Sequence, residues 1–397
     1  MPLSRRVGRI APSVTFEIEA QIAELRARGL AIIGLGAGQP DFPTPAPALA
    51  AARRSLESGR VLYTASSGLP ELRTEAARYL SATSGHAWTA RDVVVTCGAK
   101  EGLALTMLAR VDEGDEVVMP DPCWLSYEPM VLAAGGRRVA VATDAEDGFA
   151  LHAERLARAV GPRTRVIVLN TPSNPTGAVL TRAELEGLAR VLAPFPDAVV
   201  VSDEIYSPFV FEGEHVSPAS VPGLSDRTVV VNGCSKAFSM TGWRIGFVAA
   251  PAPITAAIGN LKSHMTSNAA TPSQHAALGA LREGQGGIAA MVAAFARRRR
   301  LVVEALGAIE GVTLVEPRGA FYAFPRVDAF YADEIAGSVD FCAALLEEAH
   351  VALVPGAAFG EDRCVRLSYA VADEELREAL ERITAFLAAR RPARSRT

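Results

Sequence analysis

Four short segments carry residue types that could do chemistry. The first runs Gly233-Cys234-Ser235-Lys236-Ala237-Phe238-Ser239-Met240-Thr241-Gly242-Trp243-Arg244, with a lysine set among small and apolar neighbours just after an apolar run. A lysine kept from water has a lowered pKa and offers the free amine that Schiff-base chemistry requires. Arg244 adds a second cation near the same strand end, and two neighbouring cations ask for an anion such as a phosphate ester. The second segment, Ser202-Asp203-Glu204-Ile205-Tyr206, puts a carboxylate at the end of a buried run, where it must be paired. The third, Asn170-Thr171-Pro172-Ser173-Asn174-Pro175-Thr176-Gly177, is a proline-stiffened loop able to aim the Asn174 amide inward. The fourth, Thr96-Cys97-Gly98-Ala99-Lys100-Glu101-Gly102, reads as strand, small-residue turn and helix. Such a turn leaves the first helical N–H groups free to hold a phosphate.

These segments stand at the ends of predicted elements. Short β-branched runs predict strands over 93–97, 116–119, 165–170, 198–202, 228–231 and 246–249, and apolar spacing predicts helices over 99–111, 151–160 and 182–192. Nearly all-apolar strands separated by helices indicate an α/β fold with a mostly parallel sheet covered on both faces. Sheets of that kind bind ligands at the carboxyl ends of their strands. After about residue 285 the pattern changes to a long helix over 287–306, short strands near 312–315, 320–324 and 365–369, and a closing helix over 373–388. With the detached helix at 17–28, this predicts a smaller α+β domain built from both chain ends. The expected division is 46–285 for the large domain, and 1–45 with 286–397 for the small one. The tail 390–397 is expected to fray.

Composition excludes several classes. The chain has 397 residues, 40 Lys+Arg against 44 Asp+Glu for a net charge of −4, with 49% hydrophobic and 21% charged residues. That is a globular profile with no global pull toward nucleic acid or an anionic membrane. No stretch has the apolar length of a membrane span. Five cysteines without a CxxC pair indicate neither a disulfide framework nor a zinc site. The arginine-bearing N-terminus lacks an apolar signal region, so an unprocessed cytoplasmic protein is expected. Gly34-Leu35-Gly36-Ala37-Gly38-Gln39 fails as a dinucleotide fingerprint, because Gln39 stands where the third glycine belongs and a turn cluster follows. The run Arg297-Arg298-Arg299-Arg300 reads as a solvated helix face rather than a nucleic-acid stripe.

Taken jointly, the four segments describe a pocket with a lysine, an acid, an amide, a tyrosine and a phosphate cradle. Pyridoxal 5'-phosphate is the cofactor that needs a lysine on its aldehyde, an acid on its ring nitrogen and an anion site. From about residue 4 to 383 the chain resembles the class I pyridoxal-phosphate aminotransferases of fold type I, in the branch that includes bacterial aspartate aminotransferases. The landmarks are GAGQPDFPTP, YTASSGLPELR, CGAKEGL, NTPSNPTGAV, SDEIY, SKAFSMTGWRIG, GAFYAF and VRLSYA.

The resemblance implies the roles of individual residues. Lys236 would form the aldimine and move the proton, Asp203 would face the ring nitrogen, and Tyr206 with Asn174 would bond the ring's 3-oxygen. Trp124 would stack on the ring, while Ser235, Arg244 and the turn Gly98, Ala99 and Lys100 would hold the phosphate. Arg366 would clamp the substrate α-carboxylate, helped by Asn174, Trp124 and the backbone at Gly38. Tyr63 would reach the phosphate of a neighbouring subunit, which implies a homodimer. The expected activity is ping-pong transfer of an amino group between an amino acid and a 2-oxo acid, with aspartate-type or broad specificity. The alternative keeps fold and cofactor but ends as a β/γ-eliminating lyase, a cyclase or an amino acid oxidase. For a distal substrate carboxylate, Arg9, Arg318 and Lys262 are the candidate cations. The resemblance also sets 13–17 and the loop 262–273 around the side-chain pocket, which Phe16 and Phe321 would make apolar.

Overall fold

The computed structural model describes residues 3–332 and 334–390. A seven-stranded sheet runs in the order Val93–Thr96, Gly246–Ala249, Thr228–Gly233, Val199–Asp203, Thr164–Asn170, Glu116–Asp121, Arg137–Ala142. All neighbours are parallel except Gly246–Ala249, which is antiparallel to both of its partners. The fold is therefore the expected α/β architecture with a mostly parallel sheet. The strand Arg137–Ala142 escaped the sequence reading because it is the sheet's edge. It opens on two arginines, and only Val141 is fully buried, so no continuous apolar run marks it.

Helices cover both faces. Ala99–Arg110 leaves the first strand's end and packs on Ala252–Met265, while Thr271–Glu283 packs on Ala46–Glu57 and Pro70–Ser84. Four of the helices that the periodicity did not reveal, Ala46–Glu57, Pro70–Ser84, Ala252–Met265 and Thr271–Glu283, carry a proline in the first turn. Proline is tolerated there because the missing N–H has no intrahelical partner.

The chain ends build two small sheets. Ile33–Gly34 pairs in parallel with Val351–Ala352, and Val365–Ser368 lies antiparallel between Val354–Pro355 and Tyr322–Ala323. The expected strand at 312–315 is reduced, among the described residues, to a single bridge between Thr313 and Arg326. The arginine run also departs from expectation. In the helix Gly286–Gly307, Arg298 and Arg299 are 5% and 7% exposed. Arg298 forks onto both oxygens of Asp41 at 2.7 Å and reaches Asp373 at 2.7 Å, while Arg299 meets Glu212 and, at 3.0 Å, Glu316. Consecutive helical residues point about 100° apart, so four in a row cannot share one solvated face. The fraying expected for 390–397 falls on residues outside the described part beyond Arg390.

Candidate active site

The polar segments converge at the carboxyl ends of the sheet strands around a cavity of about 660 Å³. Lys236 sits in the short helix Cys234–Ala237, which starts where Thr228–Gly233 ends. A side chain at Gly233 would press on the backbone of Ile245 and Gly246, so a glycine lets the two strand ends cross closely. Lys236 Nζ donates to the Gly38 carbonyl. Burial, then the positive charges of Arg244 and Arg366, push its pKa down to about 8, so a neutral amine is within reach near neutrality.

Asp203 ends its strand 4% exposed. Tyr127 Oη donates to it at 2.9 Å and the Ile205 N–H at 3.3 Å, yet burial outweighs both and raises its pKa to about 6. No cation among the described residues forms an ion pair with it. One strand over, the Asn170 amide donates to the Asp203 carbonyl at 2.9 Å, and its Oδ1 accepts from the Asn174 N–H at 2.7 Å. That chain of bonds fixes the proline-stiffened loop and turns Asn174 Oδ1 to the Arg366 guanidinium at 2.9 Å.

Arg366 leaves the strand Val365–Ser368 and is 2% exposed. Its Nη2 donates to the Gly36 carbonyl at 2.5 Å, and its cation lies 4.7 Å from the Tyr322 ring centre and 4.9 Å from that of Phe359. It forms no ion pair among the described residues, and its buried Nε has no partner. A buried guanidinium without a counter-charge is an anion seat.

The phosphate-type cradle is assembled from glycine and cations. Gly98 has φ +81°, and a side chain there would collide with the Arg244 guanidinium. Arg244 in turn donates to the Thr241 carbonyl at 2.9 Å. Behind the turn, Glu101 accepts from the Cys97 N–H at 2.6 Å and from the buried Lys262 at 2.9 Å, which fixes the start of the helix Ala99–Arg110.

Gly38, Ala99, Lys100, Trp124, Asn174, Asp203, Tyr206, Ser235, Lys236, Arg244 and Arg366 all line the cavity. Gly98 backs it through Arg244, whereas Tyr63 stands 91% exposed outside this chain's cavity. Other expectations fail. Phe321 is fully buried and packs on Phe209 and Phe295, because neighbouring strand residues face opposite ways and Tyr322 takes the cavity side. Lys262 is spent on Glu101, Arg318 on the Val179 carbonyl, and Arg9 lies away from the cavity, as does the loop 262–273. Of the segment 13–17, Ser13, Thr15 and Phe16 do line it. The sequence reading missed Tyr127 and Tyr322, gave Asn170 no role of its own within its loop, and used Lys100 only for its turn. The Lys100 ammonium projects over the Trp124 ring at 4.9 Å and toward the Phe16 ring at 5.9 Å.

Asp203 is the sharpest test of what the cavity takes. A buried carboxylate without a counter-charge calls for a protonated nitrogen from a ligand. Lys236 offers an amine on the same cavity, and the Gly98–Arg244 cradle offers an anion site beside it. Pyridoxal phosphate meets all three demands, and fold and site together define a pyridoxal-phosphate-dependent enzyme of fold type I. The aminotransferase class I and II family profile matches residues 31–383, and the chain belongs to that family. It is 45% identical to the aspartate/prephenate aminotransferase of Cereibacter sphaeroides over 97% of this chain and 98% of the relative. It is 43% identical to the aspartate aminotransferase of Geobacillus stearothermophilus over 98% and 100%. The aspartate aminotransferase of Thermus thermophilus with maleate superimposes with a TM-score of 0.92 at 41% identity, covering 97% of this chain and 99% of that one. The activity is therefore that of a pyridoxal-phosphate-dependent aminotransferase.

Proposed function

We propose that this aminotransferase works on dicarboxylic substrates, with aspartate as the leading amino donor. The observation that carries the reading is the Lys100 ammonium, which lines the cavity without an ion pair among the described residues. Although Lys100 is exposed in this chain, desolvation, then the charge of Arg244, lowers its pKa, the direction that a nearby anion would reverse. With Arg244 assigned to the phosphate, Arg366 is a second unpaired cation left for substrate, and two such cations suit a ligand with a carboxylate at each end. Phe16, which lines the cavity beside Lys100, adds an apolar face, which favours prephenate, a dicarboxylate with a ring, as a further acceptor. Relatives named for aspartate and prephenate, and a structural neighbour solved with maleate, support the same direction.

Bound pyridoxal phosphate supplies an aldehyde that condenses with amines and a cationic ring that withdraws electrons from the substrate Cα. In this reading Asp203 holds the proton on the ring nitrogen, while Tyr206 and Asn174 meet the 3-oxygen. Trp124 covers the ring, and Ser235, Arg244 and the backbone at Gly98, Ala99 and Lys100 take the phosphate. Arg366, with Asn174, Trp124 and Gly38 beside it, grips the α-carboxylate. A planar two-point grip fixes which Cα bond is broken. Lys236, as a neutral amine, would accept the proton from Cα and, as its ammonium form, deliver it to the carbon that bore the cofactor's aldehyde oxygen. We further infer the domain division 46–285 against 1–45 with 286–397. The reading also holds the chain to be a homodimer in which the exposed run at Val61, Leu62 and Tyr63 meets the neighbouring site. Five free cysteines agree with work in the cytoplasm, and no helix among the described residues is long and apolar enough to cross a membrane.

The test is the visible spectrum of the purified holoenzyme with single amino acids, followed by 2-oxoglutarate or prephenate. The reading expects aspartate and glutamate to convert the bound cofactor to its amine form, and either acceptor to restore it. Faster conversion by leucine or phenylalanine than by aspartate would overturn the dicarboxylate assignment.

A further inference from the structure

Tyr322 has no part in the roles given above, although its position touches three of them. The side chain leaves the strand Tyr322–Ala323 at 1% exposure and still lines the cavity. Its Oη lies 2.9 Å from Tyr206 Oη. Its ring face carries the Arg366 cation at 4.7 Å. A side chain at Gly38, whose carbonyl accepts from Lys236, would collide with the Tyr322 hydroxyl. One phenol therefore touches the tyrosine, the arginine and the loop that the cofactor and substrate roles assign to separate tasks.

Counting protons gives this contact a direction. Each phenol has a single O–H, so one of the pair donates and the other accepts. Burial, first among the causes, holds both tyrosines well on the protonated side, so neither hydroxyl is an anion. If Tyr206 spends its proton on the cofactor's 3-oxygen, it has none left for Tyr322. Tyr322 must then be the donor, and Tyr206 the acceptor. A hydroxyl that accepts one hydrogen bond donates a stronger one, because the two polarise each other. The ring of Tyr322 contributes separately, since its face seats a guanidinium that has no carboxylate to hold it.

We propose that Tyr322 is a positioning residue linking the cofactor end of the site to its carboxylate end: its hydroxyl fixes the direction of the Tyr206 proton, and its ring seats Arg366. The inference rests on the reading of Tyr206 and Arg366 given above.

The hydroxyl and the ring separate cleanly in Tyr322→Phe and Tyr322→Leu. The first readout is the pH midpoint of the visible band of the bound cofactor, measured without substrate. Tyr322→Phe is expected to raise that midpoint by about 0.5 unit or more, because a weaker Tyr206 hydrogen bond leaves the 3-oxygen and its neighbouring nitrogen more basic. The KM for 2-oxoglutarate should stay within about twofold of the parent, since the ring still carries Arg366. Tyr322→Leu should move the midpoint similarly and also raise that KM by about tenfold. The decisive control is Tyr206→Phe, alone and combined with Tyr322→Phe. Tyr206→Phe should shift the midpoint further than Tyr322→Phe, and the second substitution should then add nothing. A midpoint unmoved in Tyr322→Phe while Tyr206→Phe shifts it overturns the proposal and leaves the Tyr206 role standing. An equal Tyr322→Phe shift in the Tyr206→Phe background also overturns it. A Tyr206→Phe midpoint equal to the parent's would remove the Tyr206 role and the proposal together.

Discussion

At the strand ends, Asp203, Asn174 and Arg366 are buried and each is held by at least two neighbours, from Tyr127 and Ile205 to Asn170 and Gly36. At the mouth, Phe16 is 70% exposed, and Lys100 touches aromatic faces without a hydrogen-bond partner among the described residues. The floor thus has its geometry set by the rest of the protein before any ligand arrives. The mouth is left to be completed by what binds. Reaction chemistry common to every substrate needs the first arrangement, while discrimination among side chains can live in the second.

Substitutions should therefore sort by where they fall. The largest effect belongs to Lys236→Ala, for which we expect a loss of turnover of about 10⁵-fold or more with every amino donor. A loss confined to some donors would break the division between floor and mouth. Asp203→Asn comes next: one ion pair at an effective dielectric of 20 is worth about 4 kcal/mol, or roughly a thousandfold in rate. The ratio of aspartate to alanine turnover should not change in that variant, and steady-state kinetics with both donors would show it. Lys100→Met should do the opposite. It is expected to cost about tenfold to a hundredfold in kcat/KM for aspartate, as a charged hydrogen bond of 1.5–3 kcal/mol implies, with alanine within about twofold. Equal losses for both donors would move Lys100 from the mouth to the floor.

The smallest expected effect is in pH. Because Lys236 is pushed down to about 8, its neutral amine predominates above that pH and its protonated form below. Cofactor uptake by the cofactor-free protein, followed by absorbance, should rise with pH and level off just above 8. A rate still climbing past about pH 10 would mean a lysine of ordinary basicity.

The contrast also explains what was legible in the sequence. Lys236, Asp203 and Asn174 follow apolar β-branched runs, so strand ends and their polar residues could be read together. Trp124 and Arg366 came through resemblance, since nothing in their local periodicity marks a cavity. The mouth was read less well. Lys100 was credited with its turn alone, because a helix start says nothing of where a long flexible side chain will point. Phe321 was chosen over Tyr322, although a strand must send one of the pair into the core. Arg298 and Arg299 were taken for surface charge because their acids, Asp41, Asp373, Glu212 and Glu316, lie far off in sequence. The edge strand Arg137–Ala142 hid for a similar reason, its outward residues being charged or half-exposed.

The pairing of Ile33–Gly34 with Val351–Ala352 bears on how the chain is made. During synthesis the last strand of the large sheet, Gly246–Ala249, emerges long before residue 351, so that sheet and Lys236 can be in place on the ribosome. Leu35 and its neighbours must wait for a partner more than 300 residues downstream, and so must the Gly36 carbonyl that receives Arg366. Until then the nascent chain has Lys236 and Asp203 at the strand ends and lacks Arg366, the buried guanidinium that lines the same cavity. Its fully buried side chains, such as Leu35, Phe209 and Phe295, are left without the C-terminal residues that cover them, a surface for chaperones to guard. Synthesis of the strands near residues 351–368 is, for this protein, also the step that brings Arg366 to the cavity.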